Sequence, residues 1–144
     1  MISLEAVFAN MHLQFFNYPG TEENASQYHY SQAVQVGNVV RTSGQGGWDE
    51  SGHITVNLEK QIDRAFDNVL SALKAVDADL TFDHIYAIRS YHIDMDSSFD
   101  IMTSVFKKIF PKHRPIWTCV QIGKLGLEGM LVEIEVEAFI SAHE

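Results

Sequence analysis

Two stretches of the chain repeat apolar residues at helical spacing, and the runs around them alternate or cluster as strands do. Ile62, Ala65, Phe66, Val69, Leu70, Leu73 and Val76 recur three and four residues apart, behind Asn57, an N-cap residue type, and Glu59 in the first turn. This predicts a helix over about 58–76. Ile101, Met102, Val105, Phe106 and Ile109 share one face of a second helix, expected from about 98 to 110 after an N-cap in Asp94-Met95-Asp96-Ser97 and stopped by Pro111. Ala33–Val36 and Val39–Ser43 flank Gly37-Asn38, the signal of a tight hairpin. Phe82–Tyr91 and Ile116–Ile122 read as two further strands. Met130–Ile140 alternates Val132, Ile134, Val136, Ala138 and Ile140 against Leu131, Glu133, Glu135, Glu137 and Phe139, a strand with one apolar face.

The order ββαβαββ with amphipathic helices predicts an α+β domain of two layers, a mixed sheet with two helices on one face. Residues 1–27 are aromatic-rich but irregular and are expected to form a surface arm with a short strand or helix, leaving 28–144 as one domain. There is no internal repeat and no low-complexity segment.

Composition changes the picture in three ways. With 144 residues and 46% hydrophobic content the chain can bury a single core, about 65–70% of the surface its unfolded form exposes. The formal charge of −9 and the scattered Lys and Arg argue against nucleic acid as a partner. Cys119 is the only cysteine, so no internal disulfide forms and a reducing compartment suits the chain. The first residues lack the basic start of a signal peptide, and no apolar run approaches the ~20 residues of a membrane span. A cytoplasmic protein without membrane contact is expected.

The candidate chemistry is local. Gly44, Gly46 and Gly47 bracket Gln45 and end the second strand, where glycine lets backbone approach a ligand. Glu133, Glu135 and Glu137 share a sheet face, the ordinary expectation being a wet face or intersubunit ion pairs. Of the seven histidines, His29, His53, His84, His92, His113 and His143 show no paired metal-ligand spacing, His92-Ile93-Asp94 being the nearest approach to a cluster. Gly44-Gln45-Gly46-Gly47 lacks the Lys-Ser/Thr of a phosphate loop. No cofactor and no metal are implied.

The stretch Phe110-Pro111-Lys112-His113-Arg114-Pro115-Ile116-Trp117-Thr118-Cys119-Val120 resembles the Pro-x-Arg-Ser/Thr-x-Val signature of the Rid family, also called YjgF or L-PSP, with Trp117 at the arginine position. Tyr30-Ser31-Gln32, Ser43-Gly44-Gln45 and Val132-Glu133-Ile134-Glu135 resemble further elements of the same family, over residues from about 29 to 141. The resemblance implies a chorismate-mutase-like trimer in which three sheets form a barrel with the helices outside. It implies three clefts between neighbouring subunits, each bounded by Tyr30, the Gln45 loop, Trp117, Thr118, Cys119 and Glu133, with hydrolysis of reactive enamines and imines there. The family has also carried an endoribonuclease label, which the charge disfavours.

On that reading Glu133 holds the attacking water or moves a proton. Backbone N–H groups near Cys119 or Gly44 polarise the electrophile. Cys119 also reads as an inert small hydrophobe, having no adjacent cation to lower its pKa. An arginine at position 117 would clamp a substrate carboxylate with two charged hydrogen bonds, each worth about 1.5–3 kcal/mol. Tryptophan offers one N–H and no charge. The substrate expected is therefore an imine, enamine or related carbonyl compound other than the usual anionic imino acid, held in a pocket with Trp48 and Trp117 as aromatic walls. Arg41, Arg89 and Arg114 are the residues from which a displaced clamp could come, although strand arginines more often pair with carboxylates. A binding protein without catalysis, using the same scaffold for a small molecule or peptide, is the competing expectation.

Overall fold

The computed structural model describes residues 1–10 and 13–141, side chains 8–10 excepted. Its elements are α1 (Leu4–Asn10), β1 (Leu13–Phe16), α2 (Glu22–Tyr28), β2 (Ala33–Val36), β3 (Val39–Thr42), α3 (Leu58–Val76), β4 (Ile85–His92), α4 (Met95–Ile109), β5 (Ile116–Gln121) and β6 (Val132–Phe139). The strands form one six-stranded sheet in the order β1-β2-β3-β6-β4-β5. Only β4 and β5 run parallel, as the α4 crossover between them requires; every other pair is antiparallel. The predicted ββαβαββ order is observed from β2 onward.

Helix α3 starts where its capping residue stands: Asn57 Oδ1 accepts a hydrogen bond from Lys60 N at 2.9 Å. Its apolar stripe of Ile62, Ala65, Phe66, Val69, Ala72 and Leu73 is buried against the sheet. Val132, Ile134, Val136 and Ala138 of β6 meet it from below, each at most 1% exposed. Phe66 sits edge-on to Phe82 and Phe106, with centroids 6.2 and 6.0 Å away, tying the two helices and the start of β4 into one core. Two-residue closure of the β2–β3 hairpin rests on Gly37, whose φ of 58° lies in the left-handed region.

Three boundaries differ from the sequence expectation. Phe82–His84 form a turn of 3-10 helix rather than strand, because Thr81 Oγ1 accepts from Asp83 N and Thr81 N donates to His84 Nδ1. Helix α4 begins at Met95, about a turn before the expected 98, since the hydroxyls of Ser97 and Ser98 bond back to Asp94. The stretch expected as a surface arm supplies the sheet's first strand, β1, which pairs with β2 along its whole length. Tyr18, just beyond it, is 7% exposed and packs with Ala33 and Ala72.

Helices α3 and α4 lie on one side, so the other sheet face is uncovered in the single chain. Register places Arg41, Arg89, Tyr91 and Thr118 on that face beside Glu133, Glu135 and Glu137. Glu137 takes Arg41 at 3.1 Å and Arg89 at 3.5 Å, and Tyr91 donates to Glu135 at 2.7 Å. Glu135 and Glu137 thus find their partners within the chain, where the sequence reading expected a wet face or ion pairs between subunits.

Candidate functional site

Glu133 is placed by β6, and its surroundings are made by the loop that leaves β3. Gln45 pairs with Ile134 through two backbone bonds, Gln45 N to Ile134 O at 2.7 Å and Ile134 N to Gln45 O at 2.9 Å. This brings Gly44 against the Glu133 side chain. A Cβ at position 44 would stand 2.8 Å from Glu133 Cγ and Oε1 and closer still to Cδ, so any larger residue displaces the carboxylate. The carboxylate borders a cavity of about 770 Å³, whose walls include Tyr30, Ser43, Gly44, Trp48 and Met130. Burial pushes the Glu133 pKa above the usual glutamate range, and neighbouring Glu135 adds to the rise. A carboxyl group that is desolvated yet open to a cavity is suited to hold and return a proton.

The loop glycines have different tasks. A Cβ on Gly47 would meet Gln61 O at 2.5 Å and Gln61 Cα at 2.7 Å, both backbone atoms of α3, and one on Gly46 would strike Met130 and Trp48. These two glycines let the loop lie on the helix, where Asn68 Nδ2 donates to Gly46 O and Trp48 O at 2.8 and 2.9 Å. Only Gly44 has the close approach to a reacting group expected of the whole loop.

Gln45, expected in the cleft, is fully buried instead. Its amide accepts from Tyr18 Oη at 2.7 Å and donates to Gln32 Oε1 at 2.8 Å, while Trp48 Nε1 donates to Tyr18 Oη at 3.1 Å. The chain Trp48 to Tyr18 to Gln45 to Gln32 fixes one face of Trp48 while the ring lines the cavity. Burial raises the Tyr18 pKa to about 12, so its hydroxyl keeps the proton that this order of donors needs. Gln45 is a positioning residue for the wall of the site.

Trp117 and Cys119 lie elsewhere in the protomer. Parallel register pairs them with Ile88 and Ser90, on the helix side of the sheet, while Thr118 pairs with Arg89 on the glutamate side. The Trp117 indole packs beneath α4, 5.2 Å from Phe99 and edge-on to Phe106 at 4.9 Å. Its Nε1–H donates to Ser90 Oγ at 2.9 Å. Ser90 Oγ is 2.8 Å from His92 Nε2, His92 Nδ1 is 2.6 Å from Ser98 Oγ, and Ser98 donates to Asp94 O at 2.8 Å. Because Ser98 spends its one proton on Asp94 O, it accepts from His92 Nδ1–H. Burial lowers the His92 pKa and so favours the neutral ring, in which Nε2 accepts from Ser90. Cys119 Sγ lies 3.2 Å from Met95 Sδ, and burial pushes its thiol up.

The chain by itself brings Tyr30, Gly44, Trp48 and Glu133 together around the cavity, whereas Trp117, Thr118 and Cys119 do not line it. Sequence reasoning did not reach Tyr18, which holds Trp48, or the acidic residues Glu23 and Glu50, which border the cavity, and it read Met130, another wall residue, only as the start of the last strand. Tyr18, Glu23 and Glu50 belong to no periodic pattern; Tyr18 stands in the irregular amino-terminal stretch. Among the described residues, no group of three His, Cys, Asp or Glu side chains could hold a metal ion, and no helix is long and apolar enough to cross a membrane.

Comparison with known proteins agrees with this architecture. Residues 21–140 match the family model described as Endoribonuclease L-PSP. The RutC family protein YjgH of Escherichia coli is 36% identical over 117 residues, covering 80% of this chain and 86% of that protein. A solved structure of protein YjgH superposes with a TM-score of 0.78 at 31% identity, over 90% of this chain and 98% of that one. The structure of E. coli TdcF with bound serine superposes with a TM-score of 0.69 at 29% identity, over 78% of this chain and 88% of that one. With two strands framing a glutamate over a glycine, a helix pair on one sheet face and a match spanning most of its length, the chain belongs to the L-PSP family, the Rid or YjgF proteins.

Proposed function

We propose that this protein hydrolyses the C=N bond of an imine, or of an enamine after its protonation, in the cavity beside Glu133. Water adds to the imine carbon while the Glu133 carboxylate accepts a proton from that water. The proton passes to nitrogen, and the resulting carbinolamine expels ammonia or an amine as the carbonyl forms. The observation that carries this reading is Glu133 itself: half-buried, with its pKa raised by desolvation, and seated against a glycine that leaves its oxygens open to the cavity. Binding of serine by TdcF supports a small-molecule ligand for this fold. The carboxylates around the cavity disfavour a phosphate backbone, so the ribonuclease label of the family model is not adopted for this chain.

The working unit in this proposal is a homotrimer. Its support is the uncovered sheet face, on which Phe15, Val36, Ile116, Val120 and Phe139 are 39–72% exposed around a polar centre. Trp117, Thr118 and Cys119 reach a Glu133 cavity in such an assembly only from a neighbouring subunit. Trp117 brings no cation to it, which keeps anionic imino acids poor substrates. Cys119 has no chemical step here, since its thiol is desolvated on the helix side. We take 28–144 as the catalytic domain, with β1 completing its sheet.

The test is turnover of a panel of imines and enamines, followed by loss of carbonyl formation in Glu133→Gln. A loss of about a hundredfold or more in kcat is expected for removal of the proton acceptor. Equal turnover in both proteins sinks the mechanism. Equal ligand affinity with no turnover in either leaves the scaffold as a binding protein.

A further inference from the structure

The cavity beside Glu133 has a charge and surface character that narrows its ligand. Four carboxylates border it, Glu23, Asp49, Glu50 and Glu133, and among the described residues not one Lys, Arg or His does. Asp49 is committed to the turn that follows it, accepting from Ser51 N and His53 N at 2.9 Å. Glu23, Glu50 and Glu133 enter no ion pair among the described residues. The contrast with the adjoining hollow, which shares Trp48 with it, is direct: there Arg64 and Lys74 line the walls together with Asp67 and Glu50. Cations are thus available nearby but are placed outside the Glu133 cavity.

The remaining walls suit the same sign of charge. Tyr28, Tyr30 and Trp48 line the cavity together with Leu127 and Met130. Aromatic faces carry negative quadrupole density and attract an organic cation while offering apolar contact to its body. An anion brought into this setting meets like charge and no donor of full positive charge.

We infer that the Glu133 cavity selects a cationic small molecule, an ammonium or iminium group on an apolar or aromatic body, with Glu23, Glu50 and Glu133 as its counter-charges and Tyr28, Tyr30 and Trp48 as its walls. This rests on the cavity being the ligand site, as proposed above, and it specifies the ligand class. It also fits the chemistry of that reading, because a protonated C=N is both the cation and the better electrophile for water.

The experiment is calorimetric titration of the intact protein with three probes of similar shape, benzylamine, benzyl alcohol and benzoate, at neutral pH and low salt. Benzylamine is expected to bind about tenfold or more tightly than benzoate, with the difference shrinking as salt rises. In Glu23→Gln/Glu50→Gln, changed at two exposed positions outside the core, benzylamine affinity falls several-fold and benzyl alcohol affinity does not change. Benzoate binding as tightly as benzylamine overturns the inference, as does absence of binding by all three. Because the ranking needs no turnover, a preference for benzylamine without C=N hydrolysis removes only the enzymatic reading, and hydrolysis with a preference for benzoate removes only this one.

Discussion

Replacing Trp117 with leucine tests whether this indole is part of the protomer's interior or a free wall of a cleft. The structure gives it two ring contacts, to Phe99 at 5.2 Å and Phe106 at 4.9 Å, and one hydrogen bond to Ser90 Oγ at 2.9 Å. Aromatic pairs contribute about 0.5–1.5 kcal/mol each beyond area burial, and a neutral hydrogen bond contributes about the same. Leucine keeps apolar contact with α4 but loses all three. Ser90 keeps His92 as a partner, so no buried hydroxyl is orphaned and the large penalty for an unsatisfied group does not apply. The expected loss is about 2–4 kcal/mol, a fall of roughly 5–15 °C in Tm for a chain of this size. Urea denaturation at fixed protein concentration measures it, since association would otherwise shift the midpoint. A cycle with Phe106→Leu should show coupling of about 0.5 kcal/mol or more, because the rings touch. A midpoint within about 0.5 kcal/mol of the parent, the range of ordinary surface changes, would refute the placement of Trp117 beneath α4.

Two loop glycines should respond differently to the same change. Gly47→Ala forces a Cβ into the α3 backbone and is expected to cost about 1–3 kcal/mol in a thermal melt, whereas Gly44→Ala meets only the movable Glu133 side chain and should lose C=N hydrolysis with a smaller loss of stability. Comparable melts for the two variants would contradict this. Asn57→Ala should destabilise by about 0.5–2 kcal/mol through the lost bond to Lys60 N, read from the urea midpoint. Glu133→Gln should be more stable than the parent at neutral pH and equal to it in mild acid. The folded protein holds the Glu133 proton more tightly than the unfolded chain. Stability of the parent therefore falls as pH rises from the ordinary glutamate value through the raised one, and glutamine removes that fall.

Much of the fold was legible because its signals are periodic. The α3 stripe with its Asn57 cap, the Gly37-Asn38 hairpin and the alternation of β6 each follow from local residues, and all three stand where the pattern puts them. The end of β3 and the Gly44 to Glu133 approach were foreshadowed by Ser43-Gly44-Gln45 and by the glutamate run. What could not be read was which face of the sheet a residue takes once β5 is inserted parallel to β4. That register turns Trp117 and Cys119 toward the helices and Thr118 toward the glutamates. The burial of Gln45 was likewise invisible, since it depends on Tyr18, a residue in a stretch without periodicity that reaches the site only because β1 joins the sheet. The Ser90, His92 and Ser98 network was not read, because Ser90 and His92 alternate along β4 while Ser98 comes from α4. Its order needed the Trp117 donor at one end and Asp94 O at the other.

Hydrolysis in this cavity depends on a desolvated carboxyl group at its wall, whose titration can be followed directly. Carbon-detected NMR of the glutamate side-chain carboxyls, assigned by comparison with Glu133→Gln, gives the pKa of this group in the intact protein. Glu133 is expected to titrate above the other glutamates, and benzylamine, by pairing with its charged form, to move the midpoint down. A Glu133 resonance that titrates with the exposed glutamates and ignores benzylamine would contradict this.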